Sequence, residues 1–238
     1  MKKLIIGIVG GVHSGKFADL LYTKETYIKT ITKERQVPIT LPITKDKSVI
    51  DSLIRKVDGI IFTGGVNIYP FHYGENPKTE YLEYDLERDY SEFLYLETAL
   101  KYKKTVLGIS RGCQLINVYM GGSLTQDIKK ENLSDIYHMG EKDFLETMHY
   151  INIVEGTKIE RAFGKSRAIV VSCHNQCIKN LGKDLKISAR SDDEIIEAIE
   201  YTKDSYLVGV QFNLDRMNSK ESQGLFSQFI ERAGIYNE

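Results

Sequence analysis

Gly108-Ile109-Ser110-Arg111-Gly112 is the stretch from which the rest of the chain can be read. It follows the apolar run Thr105-Val106-Leu107 and precedes Cys113-Gln114-Leu115-Ile116-Asn117-Val118, which predicts a helix. A strand that turns sharply into a helix, with a nucleophile-type residue at the corner, has the form of a nucleophile elbow. Glycines two residues to either side leave room for the strained turn. The helix start beside the corner offers unpaired N–H groups to developing negative charge, an arrangement suited to acyl transfer.

Outward from the elbow, strand and helix patterns alternate. Apolar, β-branched segments predict strands at 4–9, 38–41, 59–63, 106–109, 168–172, 185–189, 195–201 and 207–212, with a further one at 149–154. Helices are predicted over 83–102, where Leu86, Tyr90, Phe93, Leu96 and Leu100 recur at steps of three and four, and over 111–120. A third closes the chain with Leu225, Phe226, Phe229 and Ile230 facing inward. The expected fold is α/β: a doubly wound, mostly parallel sheet flanked by helices, with an extra antiparallel patch in the second half. No linker or repeat divides the chain, so residues 1–238 are expected to form a single domain.

Composition narrows the partners. The 32 basic and 33 acidic side chains leave a net charge of −1, which gives no electrostatic reason to expect nucleic acid or a membrane surface. The segment Lys2-Lys3-Leu4-Ile5-Ile6-Gly7-Ile8-Val9 has the outline of a secretory signal but lacks a small-x-small cleavage site, and reads as a buried strand. Nothing approaches the ~18 apolar residues of a membrane span. The three cysteines, an odd number, fit a reducing, cytoplasmic setting. Fifteen tyrosines with no tryptophan suit pocket rims or subunit contacts and leave a homodimer open.

Three further features carry chemistry or imitate it. Asp58-Gly59-Ile60-Ile61-Phe62-Thr63-Gly64-Gly65 is a buried strand ending in a glycine pair, whose backbone N–H groups could approach a ligand as an oxyanion hole requires. Gly10 to Lys16 fits the glycine and Gly-Lys core of a phosphate loop. Phe17, however, stands where Ser or Thr should hold magnesium, so a glycine-rich turn is the better reading and nucleotide binding a remote one. His72, His138, His149 and the pair Cys173 and Cys177 invite comparison with a metal site, but no second matched pair accompanies the cysteines. No metal and no cofactor is therefore expected.

Taken together, these stretches resemble the class I glutamine amidotransferase superfamily, a flavodoxin-like fold, and within it the gamma-glutamyl hydrolase branch. The resemblance rests on Asp58–Gly65, Pro70–Glu75, Arg88-Asp89 with Glu92, and Val106–Val118. It continues through Gly121–Ile128, Ser172-Cys173-His174-Asn175-Gln176 and Gly209-Val210-Gln211-Phe212. It implies a cysteine nucleophile at the elbow, a histidine base after the Gly-Val-Gln-aromatic strand and a glutamate two residues beyond, which together split a gamma-glutamyl amide through a thioester. Here those positions hold Ser110, Asn213 and Asp215.

That set is degenerate on chemical grounds. A thiol of pKa about 8.5 is readily ionised by a neighbouring imidazole, whereas a serine hydroxyl needs a base to take its proton. The amide of Asn213 is no such base. Losing half of an activated pair can cost about a million-fold in turnover. The expectation is thus a family member that has lost its triad and binds a gamma-glutamyl-type small molecule or a protein partner. The alternative is a hydrolase using Ser110 with His174 as base. Expected ligand contacts are the backbone at Gly64, Gly65 and Arg111 and the side chains of Gln114, His174 and Gln176.

Overall fold

The computed structural model describes residues 3–14, 19–78, 83–140 and 146–235. The strands are β1 (Ile5–Val9), β2 (Gly11–Ser14), β3 (Asp19–Tyr22), β4 (Val37–Leu41), β5 (Gly59–Phe62), β6 (Thr105–Ile109) and β7 (Ser123–Thr125), then β8 (Thr147–Ile153), β9 (Arg167–Ser172), β10 (Cys177–Asn180), β11 (Leu185–Ser191), β12 (Ile196–Tyr201) and β13 (Leu207–Val210). The helices are α1 (Glu25–Lys33), α2 (Lys47–Lys56), α3 (Leu86–Lys101), α4 (Arg111–Tyr119), α5 (Lys158–Phe163) and α6 (Lys220–Ile235).

A nine-stranded sheet in the order β4-β1-β5-β6-β13-β12-β11-β8-β9 organises the molecule. From β4 to β13 neighbours run parallel, and from β13 to β9 they run antiparallel. The mostly parallel sheet with an antiparallel patch is therefore present, and the patch amounts to four of the nine strands. Successive residues of the parallel strands point to opposite faces, and both faces are covered. Ile6, Ile8, Ile61, Leu107 and Val208 pack with Tyr27 and Ile31 of α1 and Phe226 and Phe229 of α6. Ile60, Phe62 and Val106 pack with α2, α3 and α4 through Ile50, Leu96 and Ile116. Each such fully buried side chain contributes about 1.5–3 kcal/mol.

Two expectations change. The stripe Leu86, Tyr90, Phe93, Leu96 and Leu100 is not the buried face of α3: Leu86 and Tyr90 are exposed, and the helix buries Arg88, Asp89, Ser91, Glu92, Tyr95, Leu96 and Ala99. Its start also moves to Leu86, because the Asp85 carboxylate accepts the Arg88 N–H and caps the first turn. Nucleotide binding through Gly10–Lys16 does not fit either. β2 pairs antiparallel with β3, so strands occupy 11–14 and 19–22, where a phosphate loop needs an open turn and then a helix. Gly15 and Lys16 themselves lie outside the described residues. Side-chain-free positions at Gly10 and Gly11 serve packing, since a Cβ at either would collide with Tyr22. Among the described residues no helix is long and apolar enough to cross a membrane.

At the elbow, glycine is obligatory for steric reasons. A Cβ on Gly108 would lie 2.5 Å from the Gly112 carbonyl oxygen, and one on Gly112 would overlap the Phe62 carbonyl of β5. These are backbone obstacles, which cannot swing aside. Gly112→Ala is therefore expected to cost about 2 kcal/mol or more, lowering the melting temperature by about 4–8 °C in a thermal unfolding experiment.

Candidate functional site

β6 ends at Ile109 and α4 begins at Arg111, so the turn is made by Ser110 alone. Its backbone sits at φ 54°, ψ −108°, a conformation that costs a non-glycine residue about 1–3 kcal/mol. The Ser110 N–H donates to the Val210 carbonyl, and its own carbonyl accepts the N–H groups of Cys113 and Gln114. The first two amides of α4, those of Arg111 and Gly112, stand outside the helix ladder, as helix starts require. The elbow read from the sequence is present, with Ser110 only 7% exposed.

Residues 58–65 divide their work more finely than a glycine pair suggests. The Asp58 carboxylate accepts the Ile5 N–H at 2.6 Å and ties the start of β5 to β1. Gly59 leaves space for the Phe229 ring, and the Thr63 hydroxyl donates to the Val9 carbonyl at 2.8 Å. Gly64 abuts the elbow: a Cβ there would lie 3.6 Å from Ser110 Cβ. Gly65 is needed for a different reason, because a Cβ would overlap the guanidinium of Arg88.

Arg88 leads to a buried ion network. Its guanidinium donates to the Thr63 and Gly64 carbonyls and pairs with Glu92. Arg111, 1% exposed, pairs with Glu92 and Asp89. Burial opposes the Arg111 charge, but the two carboxylates outweigh it and raise its pKa. Two guanidinium groups and two carboxylates thus balance in a dry site, fastening the elbow and the 63–65 loop to α3. The sequence marked Arg111 as a ligand contact through its backbone; its side chain instead belongs to this network.

The remaining triad positions, Asn213 and Asp215, have partners of their own. Asn213 donates its backbone N–H to the Val171 carbonyl at 2.7 Å and opens a 3-10 turn at Leu214–Arg216. Asp215 turns toward α1, where its two oxygens accept from Tyr27 and Thr26 at 3.1 Å each, with Lys24 Nζ at 3.7 Å. Burial and the Asp215 charge push the Tyr27 phenol well above its ordinary range, so it stays a neutral donor to the carboxylate.

Gln114 and Gln176 lie inside the wall behind the elbow, 3% and 0% exposed. The Gln114 amide donates to the Gln176 carbonyl and to Gln211 Oε1, and Gln176 Oε1 accepts the Ile68 N–H. His174 has partners of its own. Its Nδ1 donates to the Gln176 carbonyl at 2.9 Å and its Nε2 faces Glu197 Oε1 at 3.5 Å. Of the other histidines with described side chains, His72 faces Asp89, while His138 and His149 also face Glu197.

His138, His149, His174 and Glu197, all buried, form the group able to hold a metal ion among the described residues. Burial alone would raise the Glu197 pKa, but the surrounding imidazoles hold it at about 2. Sequence reading named His138 and His149 as metal candidates, gave His174 only as a possible base or ligand contact, and missed Glu197 in strand β12. His72, Cys173 and Cys177, its other metal candidates, are not in the group. Neither cysteine, nor Cys113, substitutes for an elbow thiolate: burial pushes all three thiols up, Cys177 to about 12.

The Peptidase C26 family model matches residues 5–213. The chain is 33% identical over 238 residues to protein NtpR of Enterococcus hirae, covering 95% of this chain and 98% of that protein. It is 29% identical over 241 residues to the gamma-glutamyl-gamma-aminobutyrate hydrolase PuuD of Escherichia coli, covering 97% and 93%. Among solved structures, the glutaminase domain of Trypanosoma brucei CTPS with bound acivicin superposes with a TM-score of 0.65 at 13% identity, covering 98% of this chain and 94% of that one. A glutamine amidotransferase of Thermotoga maritima gives a TM-score of 0.59 at 14% identity, over 100% and 87%. These two are likenesses of fold.

Two substitutions test the site's energetics. Ser110→Gly removes the conformational penalty of the corner and should raise the melting temperature by about 2–4 °C, or about 1 kcal/mol. Arg111→Met leaves two buried carboxylates with one guanidinium and should cost about 3–5 kcal/mol in urea unfolding.

Proposed function

This chain belongs to the Peptidase C26 family, and from that premise we propose that its elbow site receives a gamma-glutamyl-type small molecule without cleaving it. One observation carries the reading. Asn213 stands at the base position, and the acid meant to orient a base, Asp215, has both oxygens engaged by Tyr27 and Thr26. On this reading, no base among the described residues is assigned to accept the Ser110 proton. What a ligand's carbonyl oxygen would meet is still in place: the elbow's first helix amides, with Gly64 packed beside them. A Ser110–His174 hydrolase finds no support in the geometry, because both ring nitrogens of His174 face other groups.

Binding and turnover are tested together. Gamma-glutamyl-gamma-aminobutyrate should raise the melting temperature of the native protein, since a ligand selective for the folded state stabilises it. The same mixture should release no glutamate. Introducing Ser110→Cys and Asn213→His together should produce release, whereas either change alone should add little, because the two groups act as a unit. Glutamate release by the native protein that disappears in Ser110→Ala would overturn the proposal. Absence of any thermal shift across a panel of gamma-glutamyl compounds would transfer the role to a protein partner.

A further inference from the structure

The second-half cluster stands apart from the elbow and from any role proposed for it. Glu197 projects from β12 and His149 from β8, two strands separated in the sheet by β11. His138 lies before β8 and His174 after β9, and the two are joined by a bond from the His174 N–H to the His138 carbonyl. Glu197 Oε1 lies 3.2 Å from His138 Nδ1, 3.7 Å from His149 Nε2 and 3.5 Å from His174 Nε2. One donor atom from each of the four residues falls within 4.8 Å of all the others.

The outer hydrogen bonds fix what the inner atoms offer. His138 Nε2 faces Asp193 Oδ2 at 2.8 Å, His174 Nδ1 faces the Gln176 carbonyl at 2.9 Å, and His149 Nδ1 faces the Tyr150 carbonyl at 3.2 Å. Each outer partner is an oxygen that accepts, so each outer nitrogen carries the proton. In a neutral imidazole the inner nitrogen is then a lone pair. The three inner nitrogens converge on the Glu197 carboxylate in a buried interior, and each offers a lone pair once its inner position carries no proton. Both Glu197 oxygens, His138 Nδ1 and His174 Nε2 are buried without a hydrogen-bond partner of good geometry. With all three imidazoles neutral such an array is unfavourable, and positive charge within it, a proton or a metal cation, relieves it.

We infer that His138, His149, His174 and Glu197 form a closed structural site for a tetrahedral divalent cation of the zinc class. With ligand bonds of about 2.0–2.1 Å, the edges of a zinc tetrahedron are about 3.3 Å, close to the three carboxylate–imidazole separations. The wider imidazole pairs contract onto the ion, and the Ser172 hydroxyl, 2.8 Å from His149 Nε2, turns away to free that lone pair. Asp193 and the two carbonyls supply the outer support that metal-bound histidines characteristically have. Four protein ligands and full burial leave no open position, so the ion braces the fold and takes no part in a reaction. It fastens the two loops to strands β8 and β12.

The test loads chelator-treated full-length protein with zinc chloride alone and measures bound metal after dialysis. One zinc per chain is expected, with the melting temperature raised by about 5–10 °C at a hundredfold excess over the dissociation constant. Cobalt in its place should give the intense visible absorption of a tetrahedral centre. His149→Ala and Glu197→Gln, each checked for native circular dichroism, should lose the stoichiometric metal and the cobalt spectrum, while His72→Ala keeps both. If either variant does not fold, the native protein decides the matter: no stoichiometric zinc at micromolar free metal overturns the assignment. So does metal retained in folded His149→Ala/Glu197→Gln protein, which would place it elsewhere.

Discussion

The contact on which the architecture depends is between Gly112 at the start of α4 and the Phe62 carbonyl at the end of β5. It sets how closely the elbow helix approaches the sheet, and so where Ser110 stands relative to Gly64. Around it the chain concentrates cost and compensation. A non-glycine residue at φ 54° is strained, and the buried pairing of Arg88 and Arg111 with Asp89 and Glu92 holds the segment in place. None of this requires a reaction. The corner is held because its neighbours are packed and charged to match it.

The molecule handles buried charge in two ways. In the first half, cations and anions are present in equal number and close on one another, so the network is complete as protein. In the second half, three imidazoles surround one carboxylate and their outer nitrogens are already committed. The first arrangement positions the elbow. The second lies one strand away, where the Gln211 N–H donates to the Glu197 carbonyl, and it stiffens the antiparallel strands beside the elbow.

Local signals made the elbow, the parallel strands and the inward face of α6 legible in the sequence. Glycine spacing around a corner and runs of β-branched residues act over a few positions, and the Peptidase C26 match agrees with them. The face of α3 was misread because periodicity counts apolar residues, while this helix spends its buried face on Arg88, Asp89 and Glu92. Roles within 58–65 were coarse for a similar reason: Gly65 answers to a guanidinium far along the chain. The cluster at Glu197 was hidden by distance, its members coming from two loops and two non-adjacent strands. The Cys173–Cys177 spacing offered a nearer but empty signal.

The pairing of β6 with β13 has a kinetic consequence. The strand that carries the elbow lies between β5, its predecessor in the sheet, and β13, a partner far later in sequence. The hydrogen bond from Ser110 to Val210 cannot form until the chain through Val210 has left the ribosome. Contacts so remote in sequence slow folding, because chain entropy is lost before they are made. Until then β6 keeps one open apolar edge, and a nascent chain at this stage is a natural client for a chaperone.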